Sequence, residues 1–305
     1  MQIVKKLKRY LKKAINLTPL PVWYATDGDL ASLRRKINFF LALSPSRRKI
    51  YSGESAFLNN SASLGNHWSF VFPYPFVFEY AGQNADVHMD ETNGLFYVMH
   101  NGKRLYYSRK YTTEADVRHA WQGVCLEQDR RSPHCYTNES FCVMENDTVV
   151  DIGAAEGNFA LDVVEKAGMI WIIEPDSDWA EALHATFRPW ENKVRIINKF
   201  ASDTDGGKQI TLNSLLGENR VDFIKMDVGG AEPGIIRSSE SLLTKNPRVK
   251  LAVCTYHRKN DAADCEKILS SFGFSCSFTE GYMLYAFTGL TAPFFRKTLI
   301  RAQKP

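Results

Sequence analysis

The chain has 305 residues, 44% of them hydrophobic and 24% charged, which is enough for one or two domains with a sizeable core. Its net charge of +4 is uneven: Lys5, Lys6, Lys8, Arg9, Lys12 and Lys13 precede the first acid, Asp27, so the remainder carries about −2 (4 − 6) and no nucleic-acid surface is expected. No secretory apolar core follows the basic start and no long apolar span occurs, which argues against secretion or a membrane crossing.

Residues 1–20 carry a basic amphipathic helix pattern. Ile3, Val4, Leu7, Leu11, Ala14 and Ile15 share one face over 3–17, and Pro19 and Pro21 end it. Packing on the protein or a partner is favoured, with peripheral contact to an anionic membrane as the alternative. Residues 21–145 lack regular strand–helix alternation and read as an N-terminal α+β cap. Within it, Ser44–Asn66 reads as loop. Trp68, Phe70, Phe72, Tyr74, Phe76 and Phe78 alternate at period two, the pattern of one strand's core face; stacking on a sugar is the other reading. Leu95–Tyr107 holds two β-like runs joined by Asn101-Gly102, a hairpin signal, and Thr113–Glu127 reads as a helix.

From residue 147 the rhythm becomes strand, helix, strand. Strands are predicted at 147–152, 169–174, 194–199, 221–226, 249–254, 274–279 and 282–287, with helices at 157–167, 178–187, 231–243 and 261–272. This is an α/β fold, a doubly wound Rossmann-like seven-stranded sheet over 146–290. The last two strands are expected to form a hairpin about Glu280-Gly281, leaving 291–305 as a C-terminal tail.

The six cysteines, Cys125, Cys135, Cys142, Cys254, Cys265 and Cys276, include no Cys-x-x-Cys pair. Scattered buried thiols in a reducing cytoplasm are favoured over a metal site, even with His134 beside Cys135.

Val149–Asn158 is the most informative stretch. Apolar residues lead into Asp151 and then a Gly-x-x-x-Gly turn, Gly153 to Gly157, that opens a helix. Glycine lets the backbone turn sharply and lets a ligand come close. A dinucleotide site would read Gly-x-Gly-x-x-Gly. With Asp151, Ala154, Glu156 and Asn158 around the two glycines, the turn suits S-adenosylmethionine, whose amino-acid end is cationic and which has no phosphate. Glu174 closes the second strand and can accept from both ribose hydroxyls. Ala201, Ser202 and Asp203 follow the third strand and border the adenine. Asp227 follows the apolar fourth strand, where packing gives an acid little reason to be. His257 follows the fifth and has a pKa suited to general-base work near neutrality. Lys225 reads as a structural partner for a neighbouring acid.

Asp151–Gly157, Glu174-Pro175-Asp176, Lys225–Glu232, Tyr256-His257-Arg258, Gly281-Tyr282 and the segment Glu127–Tyr136 resemble the motifs of the FkbM-type methyltransferase family over residues 95–287. The resemblance implies an S-adenosylmethionine-dependent O-methyltransferase of a sugar hydroxyl in polysaccharide, lipopolysaccharide or natural-product biosynthesis. Asp227 and His257, at neighbouring strand tips, are read as the catalytic pair, and Tyr256, Arg258, His134 and Glu127 as substrate contacts, with interdomain salt bridges as the other reading for His134 and Glu127. The family reads Asp-x-Glu-Gly-x-Glu after the fourth strand, and here Gly229 replaces the first glutamate while Asp227 and Glu232 remain. That departure leaves a cofactor-binding scaffold of impaired turnover as the alternative, and leaves a divalent metal open. A nucleic-acid acceptor is disfavoured because no Asn-Pro-Pro-Tyr-type motif follows the fourth strand.

Overall fold

The computed structural model describes residues 27–60, 67–285 and 292–305; the 3–17 pattern lies outside them. The chain divides into two compact units, residues 1–81 with 282–296, and residues 82–281 with 297–305.

In the first unit, helices α1 (Asp27–Ala42), α2 (Pro45–Ile50) and α3 (Ser52–Asn59) follow one another closely. The expected loop from Ser44 is therefore mostly helical. Ser44 starts α2 by accepting from the Arg47 amide, with Pro45 at the first helical position, where a missing N–H costs nothing. The aromatic run is not a strand either. Pro75 opens a 3-10 helix over Pro75–Tyr80, and a second spans His67–Phe70. Phe70, Phe72 and Phe76 are buried as core. Ile37, Leu41, Leu58 and Phe70 pack with Leu284, Phe294 and Phe295 of a short ribbon, Met283–Leu284 against Phe295–Arg296.

The second unit opens with an antiparallel meander of β1 (Val87–Met89), β2 (Phe96–His100) and β3 (Lys103–Tyr106). Asn101 and Gly102, both at positive φ, make the tight turn between β2 and β3 that their sequence predicts. Helix α4 (Glu114–Glu127) starts on a capping box between Thr113 and Asp116.

The main sheet has seven strands: β4 (Thr148–Ile152), β5 (Met169–Ile173), β6 (Val194–Ile197), β7 (Phe223–Met226), β8 (Lys250–Cys254), β9 (Ser275–Phe278) and β10 (Leu299–Gln303). Their order is β9-β10-β8-β7-β4-β5-β6. β4 to β8 are mutually parallel, and β10 runs antiparallel to both its neighbours. Helices α5 (Asn158–Val163), α6 (Ser177–Phe187), α7 (Leu212–Leu216), α8 (Glu232–Ser238), α9 (Glu240–Lys245) and α10 (Asp261–Ser271) provide the crossovers. The fold is the doubly wound α/β sheet read from the strand–helix rhythm. Near-continuous apolar runs such as Val149-Val150 and Phe223-Ile224 are buried on both faces, as parallel strands require.

The end of the chain differs from expectation. No hairpin turns at Glu280-Gly281, and the seventh strand is β10, at 299–303, within what reads as a tail. Residues 282–296 belong to the first unit. Arg301, within β10, donates to the carbonyls of Cys135, Tyr136 and Thr137, which ties the strand to the segment leading into β4. The predicted cap also divides at Gly82: its β-meander and α4 belong to the same unit as the main sheet.

Candidate active site

The order of the strands places a switch between β4, whose crossover leads to β5, and β7 on its other side. Ligands of open α/β sheets bind beyond the strand ends at such a point. The carboxyl ends of β4, β5 and β7 carry Gly153, Glu174 and Asp227.

Gly153 has φ +71°, and a Cβ there would strike the backbone carbonyl of Asp227. The glycine is needed for chain against chain, not for a ligand's approach. The Asp227 amide donates to Ile152 O at 2.9 Å, and the Gly153 amide donates to Ile173 O at 2.8 Å, so the ladder continues past the strand ends. Gly157, at φ +83°, leads into α5; a Cβ there would meet Leu183 Cδ2 at 2.8 Å and the Phe187 ring. Its freedom lets α5 approach α6. Ala155 also has a positive φ, a conformation of sparse population for a residue with a Cβ. Its amide donates to Glu174 Oε2 at 2.9 Å, and the Asp176 amide donates to Oε1 at 2.9 Å. Glu174 therefore fixes the turn opposite it. Burial raises its pKa against those two bonds.

Asp151 is fully buried and pairs with Lys225, itself 3% exposed, at 2.9 Å. Lys225 Nζ also donates to Gly153 O at 2.6 Å. This is the structural pairing expected of Lys225. It also means that Asp151 is committed to the protein instead of free to meet an amine. The acid beside the turn that remains available is Glu156. Burial lifts its pKa to about 7, with Glu127 and Asp151 adding negative charge and Lys225 opposing them. The buried Tyr107 hydroxyl, which feels the Glu156 charge, has no hydrogen-bond partner among the described residues. A half-buried carboxylate among other acids would ionise fully beside a cation. An acceptor of this kind fits the cationic amino-acid end of S-adenosylmethionine.

Asp227 gathers four side chains from two segments. Tyr256 donates to its Oδ1 at 3.1 Å, and His257 Nε2 lies 3.2 Å from the same oxygen. Tyr136 donates to Oδ2 at 3.4 Å, and His134 Nε2 lies 3.6 Å from it. Burial alone would raise the Asp227 pKa; the bonds from His134 and His257 overcome it and hold the group well below the usual carboxylate range. His257 is clamped on its other side by Glu232, with Nδ1 3.0 Å from Oε1. Burial disfavours the imidazolium, but the two carboxylates overcome it and push its pKa up to about 10. His257 is then protonated at neutral pH. Held between two carboxylates, it is placed to donate to both, which leaves Asp227 as the acceptor at this site.

His134 Nε2 also lies 3.6 Å from Cys254 Sγ. Burial raises the Glu127 pKa, with His134 opposing and Asp227 adding to it, so both cap residues stand near Asp227. Asp227, Glu232 and His257, or Asp227, His134 and Cys254, could each offer three atoms to a metal. In the first set both imidazole nitrogens face carboxylates as donors, an ion-pair arrangement in place of a ligand's free lone pair. Tyr136 and Cys254 are the members not singled out for this cluster from sequence. Arg258 lies elsewhere. Its side chain covers Gly230 and lines a cleft of about 630 Å³ with Ser202, Asp203, Arg237, Lys259 and Asp264.

Residues 190–276, from the turn before β6 to the middle of β9, match the model of the methyltransferase FkbM domain. The matched stretch contains Asp227, Glu232 and His257. No curated protein matches the chain. Similar solved structures include precorrin-6y C5,15-methyltransferase of Geobacter metallireducens, at 13% identity and TM-score 0.38, covering 53% of this chain and 82% of that one. Magnesium protoporphyrin IX methyltransferase of Synechocystis, solved with bound S-adenosylmethionine, is 14% identical with TM-score 0.34, covering 53% and 71%. An rRNA methylase of Streptococcus thermophilus is 14% identical with TM-score 0.38, covering 53% and 89%.

Proposed function

We propose that the protein is an S-adenosylmethionine-dependent O-methyltransferase acting on a sugar hydroxyl of a small molecule or glycan in polysaccharide, lipopolysaccharide or natural-product biosynthesis. The observation that carries the site assignment is the convergence of Tyr136, Tyr256, His134 and His257 on Asp227, directly across from the Gly153 turn. The acceptor class rests on the family resemblance.

When bound, the cofactor would supply a methyl group activated by a sulfonium, whose sulfur keeps the carbon–sulfur bonding pair and leaves as a neutral thioether. What the chain must add is orientation and a proton acceptor. An attacking hydroxyl becomes strongly acidic as its oxygen bonds to carbon. A carboxylate of low pKa can therefore take the proton late, and Asp227 is that group. His257, held as a cation by Glu232, orients Asp227. Tyr136, Tyr256 and His134 hold its other lone pairs, and His134, at 3.6 Å the longest of these contacts, is the one an acceptor hydroxyl would displace.

The test is Asp227→Asn, followed by calorimetry with S-adenosylmethionine and by methyl transfer to a panel of sugars and glycans. General-base work of this kind contributes roughly 10²- to 10⁴-fold. A loss of that size with cofactor affinity intact is expected. An unchanged rate would remove Asp227 from the reaction. Cofactor binding by the unaltered chain without transfer to any acceptor would favour the scaffold reading.

A further inference from the structure

The first unit carries a surface that the methyl-transfer site does not use. Between Asp29 and Glu54 the sequence has six cations, Arg34, Arg35, Lys36, Arg47, Arg48 and Lys49, and no acid. None of the six has a carboxylate partner among the described residues, and Glu54 is buried and bonded to the Tyr74 hydroxyl at 2.7 Å. Helix α1 buries Ile37 and Leu41 and turns Arg35 and Phe39 outward, and Leu43, just past its end, is exposed at the next four-residue step. Phe39 is 68% exposed and Leu43 64%. Ser44 alone separates Leu43 from α2, whose Arg48, Lys49 and Ile50 are all exposed, Ile50 by 56%. Arg47 lies over the Phe40 ring at 4.3 Å and ties α2 to α1.

From this we infer that the α1–α2 segment docks the protein on an anionic membrane surface. A water-exposed phenylalanine, leucine and isoleucine set among cations that have no carboxylate partner among the described residues suits the boundary between lipid headgroups and acyl chains. There the apolar side chains leave water and the cations meet lipid phosphate. A nucleic acid would satisfy the cations but leave the three apolar side chains in water. The other face of α1 is already covered by the core of its own unit.

The experiment is flotation of the full chain with vesicles of phosphatidylcholine alone and of phosphatidylcholine mixed with phosphatidylglycerol. The unaltered chain floats with the mixed vesicles only, and salt releases it. Arg48→Gln with Lys49→Gln weakens partition about thirtyfold, two basic contacts at an anionic surface being lost. Phe39→Ser with Leu43→Ser weakens it as well, with no fall in melting temperature because both side chains are exposed. Lys5→Gln with Lys6→Gln and Lys8→Gln serves as a control for the basic N-terminus and retains most of the binding. Four results overturn the inference: both α1–α2 variants float like the unaltered chain, binding is lost only in the N-terminal control, the chain retains RNA but not vesicles, or Phe39→Ser with Leu43→Ser abolishes a dimer instead of vesicle binding. If the apolar variant is destabilised, the charge variant decides alone.

Discussion

The two sides of the candidate site are held by different forces. Around residues 151–158 the chain is fixed by its own backbone: a glycine that must approach the Asp227 carbonyl, and amides of Ala155 and Asp176 pinned to Glu174. Around Asp227 the geometry is set by side-chain charge, with Asp227 and Glu232 holding a cationic His257 between them. Backbone fixation at Gly153 is intolerant of added atoms. Charge fixation tolerates change of shape and responds to pH. Lys225 joins the two, since it neutralises Asp151 and donates to Gly153 O.

The largest effect should come from that junction. Lys225→Met leaves Asp151 as a buried charge without its counter-ion, which costs about 3–5 kcal/mol in comparable cases. Adding Asp151→Leu should recover much of the loss, because the orphaned charge is then gone. Chemical denaturation of the single and double variants measures both. A single variant as stable as the parent would show that the pair does not organise the turn. Gly153→Ala comes next. Left-handed backbone costs a residue with a Cβ roughly 1–2 kcal/mol, and the collision with the Asp227 carbonyl adds to it. We expect a loss above about 2 kcal/mol, together with loss of S-adenosylmethionine affinity measured by calorimetry. Ala at Gly229, where a Cβ meets nothing within 4 Å, is the comparison that isolates the backbone term.

The backbone side of the site was the more legible in sequence. Apolar runs ending in an acid located β4, β5 and β7, since parallel strands buried on both faces leave little else in their composition. The charged side was legible only at strand tips. Asp227 and His257 were found there, but Tyr136 arrives on a segment without periodicity, and Cys254 sits among apolar residues of β8 that it resembles. The protonation of His257 was hidden because it depends on Glu232, whose carboxylate reaches back from α8 only once the turn through Gly229 and Gly230 is formed. The last strand was missed for a chemical reason. β10 carries Arg301 and Gln303, so it looks polar, while Tyr282–Leu284 is apolar and instead serves the core of the other unit.

The charge side predicts a pH signature. His257 has a folded pKa of about 10, above its ordinary value of 6.5. Its clamp therefore stabilises the fold fully below about 6.5, and the contribution falls progressively as pH rises towards 10. His257→Gln should lower the melting temperature most under mildly acid conditions, and the gap from the parent should close by pH 10. Gly153→Ala should show a gap that is flat over the same range. A His257→Gln gap independent of pH would mean that the imidazole is neutral in the folded protein.

Gly229 offers the smallest and most discriminating effect. It lies at φ +69°, exposed, with open space where a Cβ would stand. Glutamate, which the resembled FkbM-type motif carries at this position, would fit sterically but would pay the left-handed penalty of roughly 1–2 kcal/mol unless the turn relaxes. The next residue is less free: Gly230 has φ +95°, and the Arg258 side chain fills the place of its Cβ. A relaxation at 229 that moved 230 would displace Arg258. The turn thus looks built around its two glycines, with Glu232 already bonded to the Val228 amide and paired with His257. We therefore expect Gly229→Glu to leave methyl transfer unchanged or slightly lower, with a melting temperature a few degrees down. A second acid beside Asp227 would also strengthen the field on His257 and keep it protonated to still higher pH. The measurement compares the two proteins at matched stability, with and without magnesium, on any acceptor the parent methylates. A clear rise in rate, or a magnesium dependence absent from the parent, would show instead that Gly229 is a lesion in a site designed for a third carboxylate.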